Sequence, residues 1–265
     1  MLYGVSRDWW RHGRRYLYKN QISQGGIALS LENPLHIKSV SIDWEKIDEY
    51  SYLRGIDAIS GLEELAFNKP VTFFVGENGS GKSTMLEAIA VAFGFNPEGG
   101  TRNYNFSTYD SHSPLCDAIR LSRGYKKVAW GYFLRAESFY NVATAEEGYV
   151  DAPEFYHKKS HGESFLSVVQ NNFKPDGVYI LDEPEAALSP QRQLTLLIEI
   201  DKYAKAGAQF IIVTHSPILL GMSDAEILSF DDGEIHSCSY EDTDSYQVTE
   251  MFINHREAIL KRLLN

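Results

Sequence analysis

Nine consecutive residues, Gly76 to Thr84, read GENGSGKST and have the types and spacing to hold a polyphosphate. The pattern is a glycine, four residues, then Gly81, Lys82 and Ser83. Gly76, Gly79 and Gly81 let successive backbone N–H groups turn inward without Cβ clashes. Lys82 supplies a positive charge for β- and γ-phosphates, and the Ser83 hydroxyl suits Mg²⁺. Glu77, Asn78, Ser80 and Thr84 complete the contact set. A second cluster follows the apolar run Val178-Tyr179-Ile180-Leu181, which ends in Asp182-Glu183. A carboxylate at the tip of a buried parallel strand is a position for a metal ligand, so Asp182 is expected to hold Mg²⁺. Glu183 points elsewhere and can orient or deprotonate water. A third run, Gln209 to Val213, ends in Thr214-His215-Ser216-Pro217, where His215 can sense a γ-phosphate or polarise the attacking water.

Two weaker constellations complete the set. The aromatic run Val128 to Leu134 ends at Arg135-Ala136-Glu137, a charged pair that reads either as a phosphate or Mg²⁺ contact or as a surface ion pair. Lys159-Ser160-His161-Gly162-Glu163-Ser164 precedes a helical apolar pattern from Phe165 to Val169. Ser160 and Gly162 there can bind an anion at a helix start, or simply cap the helix.

Each group needs an element to hold it. Val71 to Val75 is β-branched and aromatic and predicts a buried strand into the loop; Met85 to Phe93 predicts a helix out of it. Pro190 to Ala204 predicts an amphipathic helix with Leu194, Leu197, Ile198 and Ile200 inward, closed by Gly207. Asp231-Asp232-Gly233 predicts a hairpin turn inside Ile227 to Ile235, and Tyr246 to Leu264 a closing helix. Ahead of the loop, Ile37, Val40 and Ile42 lie close to strand alternation, Ile47 to Ile59 allows a short helix, and Leu62 to Phe67 predicts another strand. These segments leave room for an antiparallel flap, with Tyr50, Tyr52 or Phe67 either stacking on a base or packing in the core. Gly94 to Tyr125 reads as loops with one helix at Leu115 to Leu121. The expected fold is α/β: a mostly parallel sheet flanked by helices, with an N-terminal antiparallel β-subdomain.

Composition sets outer bounds. At 265 residues and 43% hydrophobic, the chain can bury a full core. Residues 1–36 read as a basic arm and 37–265 as the folded domain, with an inserted subdomain at about 95–175. Arg7, Arg11, Arg14, Arg15 and Lys19 outnumber Asp8 and Glu32 in the arm, although the whole chain carries a net −11. Trp9, Trp10, Tyr16 and Tyr18 interleave with them. This mix suits a nucleic acid or an anionic membrane surface, or it is an unstructured arm. No apolar run is long enough to span a bilayer, and no secretory leader is evident. Cys116 and Cys238 read as reduced packing thiols, which points to the cytoplasm.

The order of motifs resembles the ATP-binding-cassette class of P-loop ATPases, within it the compact soluble predicted ATPases of the SMC-like branch. GENGSGKST is similar to a Walker A motif, SHGES to a divergent ABC signature, VYILDEPEAALSP to a Walker B strand with its D-loop, and VTHSP to a switch histidine. The resemblance covers Ile37 to the C-terminus. It implies ATP and Mg²⁺ as ligands, Lys82, Glu183 and His215 in ATP hydrolysis, and Ser83 and Asp182 on the metal. It also implies a homodimer that closes on ATP, with Ser160 and Gly162 completing the partner's site. Departures are visible. His161 and Lys159 replace a signature glycine and leucine, no glutamine lies between Met85 and Val169 for a Q-loop, and Ser189 stands at the D-loop aspartate. Arg135 or Glu137 is the expected substitute for the glutamine. The output stays open among a transporter subunit, a DNA-maintenance ATPase, and an ATP-gated switch in a defence or toxin module with an unidentified protein partner.

Overall fold

Five buried strands run side by side in the centre of the chain, and their sequence explains why. In the computed structural model, which describes residues 35–101, 113–135 and 161–264, a seven-stranded sheet has the order β10-β9-β3-β8-β7-β6-β4. These strands are β3 (Val71–Val75), β4 (Gly100–Thr101), β6 (Gly131–Arg135), β7 (Val178–Asp182), β8 (Gln209–Val213), β9 (Glu226–Ser229) and β10 (His236–Ser237). The central five are parallel, and β4 and β10 close the edges antiparallel. Both faces are covered, so the strands run largely apolar rather than alternating, with Thr72 and Gln209 as buried polar residues.

The pleat divides each strand between two cores. Phe74, Ile180, Ile211 and Val213 face one core; Phe73, Val75, Tyr179, Leu181, Phe210 and Ile212 face the other. The first is filled by α2 (Lys82–Phe93), through Met85, Leu86, Ile89 and Phe93. The second is filled by α4 (His161–Asn172), α5 (Pro190–Lys205) and α6 (Pro217–Leu220). Each large apolar side chain buried this way contributes about 1.5–3 kcal/mol relative to exposure.

Three further strands, β1 (Ile37–Ile42), β2 (Glu64–Ala66) and β5 (Ile119–Arg123), form a separate antiparallel sheet in the order β2-β1-β5. Ile37, Val40, Leu65 and Ile119 pack it onto the α2 core. Its attachment to the main sheet is polar. The buried Gln209 amide accepts from Ile37 N–H at 2.8 Å and donates to Ile37 C=O at 2.9 Å. His36, 2% exposed, places Nε2 3.1 Å from the Gly207 carbonyl. Burial lowers the His36 pKa from 6.5 against the raising effect of that bond and of Asp176.

Some expectations shift. The segment at Leu115 to Leu121 is one helical turn, α3 (Leu115–Ala118), and then becomes β5, because Ile119 finds an antiparallel partner in Ile42. Between Ile47 and Ile59 lie a 3₁₀ turn at Tyr52–Gly55, capped by Ser51, and α1 (Asp57–Ser60). On α5 the inward residues are Leu196 and Ile200, while Leu194 and Ile198 are exposed. Both apolar rows fit a 3.6-residue period, and contact with the sheet selects one. The closing helix is α7 (Asp244–Leu263), bent at His255. Residues 1–34, with the basic arm, and Glu137 and Ser160 lie outside the described residues. Among the described residues no helix is long and apolar enough to cross a membrane.

Candidate nucleotide site

Parallel strands deliver their C-terminal ends to one edge of the sheet, and that edge collects the expected chemistry. β3 runs into the glycine loop, β7 ends at Asp182, β8 at Thr214-His215, β6 at Arg135, and β9 leads to Asp231. The loop strand and the acidic strand are not neighbours: β8 lies between them, so His215 comes up between loop and carboxylates.

The loop holds its shape through glycines. Gly81 has φ +97°, and a Cβ there would lie 2.7 Å from Ile59 Cδ1 and 2.8 Å from Ile56 Cγ2. α1 therefore fits against the loop only because position 81 has no side chain. Lys82, 5% exposed, folds back over the loop and donates to the Gly76 carbonyl at 2.7 Å and the Glu77 carbonyl at 2.6 Å. Burial lowers its pKa, opposed by Asp231, Glu183, Asp182 and Glu77.

The Ser83 hydroxyl donates to Asp182 Oδ1 at 3.0 Å, which joins the first turn of α2 to the tip of β7. Two hard oxygen donors, one from each element, fit Mg²⁺. Asp182 Oδ2 lies 3.9 Å from Arg135 Nε, and Arg135 Nη1 donates to Glu87 Oε2 at 2.7 Å. Arg135 and Glu87 thus form a largely buried ion pair beside the carboxylate, which favours the site reading of Arg135 over a solvated surface pair.

Glu183 adopts the left-handed conformation, φ 48° and ψ 53°, which turns it out of line with β7 and toward β8. Its backbone N–H donates to the Val213 carbonyl at 3.0 Å. Its carboxylate lies 3.8 Å from His215 Nε2. Among the described residues that nitrogen is buried and has no hydrogen-bond partner. The histidine is fixed from behind, where its N–H donates to Glu185 Oε1 at 2.6 Å. An unpartnered ring nitrogen beside a carboxylate is the arrangement expected where a phosphate oxygen or a water molecule enters.

Asp231 belongs to the site, although the sequence read it only as a hairpin turn. Its Oδ1 accepts from the Glu77 N–H at 2.8 Å, and its carboxylate fills the space above Gly76, where a Cβ would come within 2.9 Å. Acidity at the end of a strand that flanks the loop strand was the available signal. Two cavities flank the loop. The larger, about 1060 Å³, is lined by Gly76, Glu77, Asn78, Glu183, His215 and Asp231 among others. The smaller, about 390 Å³, lies against Ser83, Thr84, Glu87, Arg135 and Tyr52. Of the three aromatics singled out, Phe67 is buried against Phe74, Tyr50 is fully exposed and lines neither cavity, and Tyr52 faces the smaller one. Gly162 lies in the first turn of α4.

The chain is similar to known proteins in sequence pattern and in fold. A family model for an AAA domain matches residues 52–144, and a second, described as "AAA domain, putative AbiEii toxin, Type IV TA system", matches residues 165–221. No curated relative matches the sequence. Among solved structures, the SMC head domain from Thermotoga maritima is 15% identical, with a TM-score of 0.43 over 77% of this chain and 99% of that one. The ADP conformation of MJ1267, an ATP-binding cassette of an ABC transporter, is 17% identical, with a TM-score of 0.45 over 83% and 99%. The glycine loop, the parallel sheet and the two AAA-domain matches agree on an α/β nucleotide-binding fold of the AAA, P-loop kind.

Proposed function

We propose that the protein binds ATP with Mg²⁺ and hydrolyses it slowly, and that ATP binding drives head-to-tail pairing of two chains. The observation that carries this reading is the Ser83–Asp182 hydrogen bond at 3.0 Å, with the Glu183 carboxylate and the orphaned His215 Nε2 beside it. Lys82 leaves its two carbonyls to meet the β- and γ-phosphates. Ser83 and Asp182 hold Mg²⁺, which neutralises charge on the phosphate oxygens when bound. Glu183 accepts the proton of the attacking water, and His215 donates to the γ-phosphate or to that water. Backbone N–H groups from Gly79 to Thr84 cradle the remaining oxygens, and Tyr52 offers its ring to the base. Arg135 and Glu87 take the place of the absent Q-loop glutamine as polar neighbours of Asp182. Ser160 and Gly162 complete the site of the partner chain. Calorimetry with the purified protein, Mg²⁺ and ATP is the test. Micromolar affinity that disappears in Lys82→Ala supports the proposal, and no heat in the folded wild type overturns it.

A second reading concerns output. The match of residues 165–221 to the toxin-related AAA model favours an ATP-gated interaction switch in a defence or toxin module, where hydrolysis only resets the state. A protein captured in the presence of ATP but not ADP is the result expected of such a switch.

A further inference from the structure

The hydrogen bonding between β3 and β9 does not stop where the two strands stop. Val75 stands opposite Ser229, and the Phe230 N–H donates to the Val75 carbonyl at 2.9 Å. The next rung of a parallel ladder would take the Glu77 N–H to the Phe230 carbonyl. The chain leaves the ladder there, because Gly76 has φ +138°. The Glu77 N–H donates to Asp231 Oδ1 at 2.8 Å instead. A side chain thus carries the sheet's bonding one step into the glycine loop. The carboxylate is itself held: the Ser229 hydroxyl donates to Oδ2 at 3.3 Å and accepts from the Asp231 N–H at 3.2 Å. It fits over the loop only because position 76 lacks a Cβ, which would lie 2.9 Å from Oδ1.

Lys82 grips the same turn through its carbonyls, Gly76 at 2.7 Å and Glu77 at 2.6 Å. Its ammonium is also the charge that a bound triphosphate draws on, so a nucleotide loosens that grip. The Glu77 N–H lies ahead of the cradle proposed from Gly79 to Thr84, and phosphate does not compete for it. A carboxylate beside an anion site repels the anion, so charge alone gives no reason for Asp231 to stand there. We propose that Asp231 is a positioning residue of the glycine loop: its carboxylate holds the Gly76–Glu77 turn in phosphate-binding shape while Lys82 is engaged with the nucleotide. This rests on the reading of the edge as a nucleotide site and adds the group that keeps its loop in place.

Two substitutions separate the bond from the charge. Asp231→Asn keeps an oxygen for the Glu77 N–H and an amide for the Ser229 hydroxyl, and loses the charge. Asp231→Ala loses both. Calorimetry of the full chain with Mg²⁺ and ATP, and again with ADP, gives the dissociation constants. Asp231→Ala should bind both nucleotides about fivefold more weakly than Asp231→Asn, the size of one hydrogen bond. Asp231→Asn should stay within about twofold of the wild type, because its weaker neutral bond is offset by the lost repulsion. In steady-state hydrolysis the loss in Asp231→Ala should fall on KM rather than kcat, which a general loss of folded protein would not produce. Amide exchange at Glu77 in the nucleotide-free protein reads the tether directly, slow in the wild type and Asp231→Asn and fast in Asp231→Ala. Equal nucleotide affinities of the two variants overturn the proposal, whether both match the wild type or both are weak. So does a Glu77 amide that exchanges freely in the folded wild type, a result that needs no variant. A folded wild type that binds neither nucleotide ends the nucleotide reading and this proposal with it, and is a separate result from equal variants of a protein that binds.

Discussion

His215 shows how position rather than residue type assigns chemistry. A lone histidine is most often structural. This one stands at the tip of β8, Nε2 buried and unpartnered, with Glu183 3.8 Å away and Glu185 holding its backbone from behind. His215→Ala should lower turnover by about 10²-fold or more, the scale of a lost proton-transfer group, while ATP and ADP affinities change less than threefold by calorimetry. Equal loss of both affinities would assign the histidine to structure. His36 is the contrasting case: it is buried, far along the chain from the loop, and titrates against stability. Its folded pKa is lowered from 6.5, chiefly by burial, so the unfolded chain takes up a proton that the native state refuses. The stabilisation of the neutral ring is therefore complete above the unfolded value and is lost as pH falls from about 6.5 toward the depressed native value. Thermal midpoints measured from pH 7.5 to 5.5 should fall more steeply for the wild type than for His36→Gln, which keeps a donor for Gly207.

At the scale of elements, the sequence was most readable where one residue type has one reason to be there. The loop strand, the loop, the helix after it and the two apolar strands ending at Asp182 and Val213 were legible because burial on both faces writes a nearly continuous apolar run. β5 was not, because Ile119 to Arg123 is a half-exposed edge strand whose partner lies far back in the chain at Ile37 to Ile42. On α5, Ile200 is inward as expected, but Leu194 and Ile198 were placed inward in place of Leu196 because they offer as good a helical row. Asp231 was missed because a turn rich in Asp and Gly reads the same whether or not one carboxylate reaches the loop beside it. The contact between the two sheets was likewise invisible: nothing in the spelling of Gln209 says that its amide continues the hydrogen bonding of Ile37. Gln209→Leu should cost about 1–3 kcal/mol, since it leaves a buried N–H and C=O of Ile37 without partners. Urea unfolding of the variant measures this directly. A cost below half a kilocalorie would mean that apolar packing of β1 on α2 holds the antiparallel sheet unaided.

At the scale of the whole molecule, the proposed pairing of two chains bears on how the nucleotide edge is closed. Lys82, Ser83, Asp182, Glu183 and His215 approach from the loop and the strand tips, and nothing on their own chain closes the larger cavity over Gly76 to Asn78 among the described residues. Gly162 lies in the first turn of α4, and a helix start offers N–H groups to an anion; the sequence puts the Ser160 hydroxyl just ahead of it. In the pairing proposed above, that segment of each chain would meet the γ-phosphate held by the other chain's Lys82. ATP is then part of the interface, and cleavage removes the group that both chains share. Binding and pairing are linked, so whatever traps ATP must accumulate the dimer. Glu183→Gln keeps the side chain's size and loses its ability to accept a proton, so it should bind ATP and fail to turn over. Glu183→Gln should shift from monomer to dimer on addition of ATP and Mg²⁺, and not on addition of ADP. Adding Ser160→Arg should abolish the shift by placing bulk where the phosphate belongs, while leaving ATP affinity of the monomer within a few-fold. Light scattering across micromolar protein concentrations decides the matter: a double variant that still dimerises removes Ser160 from the interface, and a Glu183→Gln variant that binds ATP yet stays monomeric ends the sandwich model.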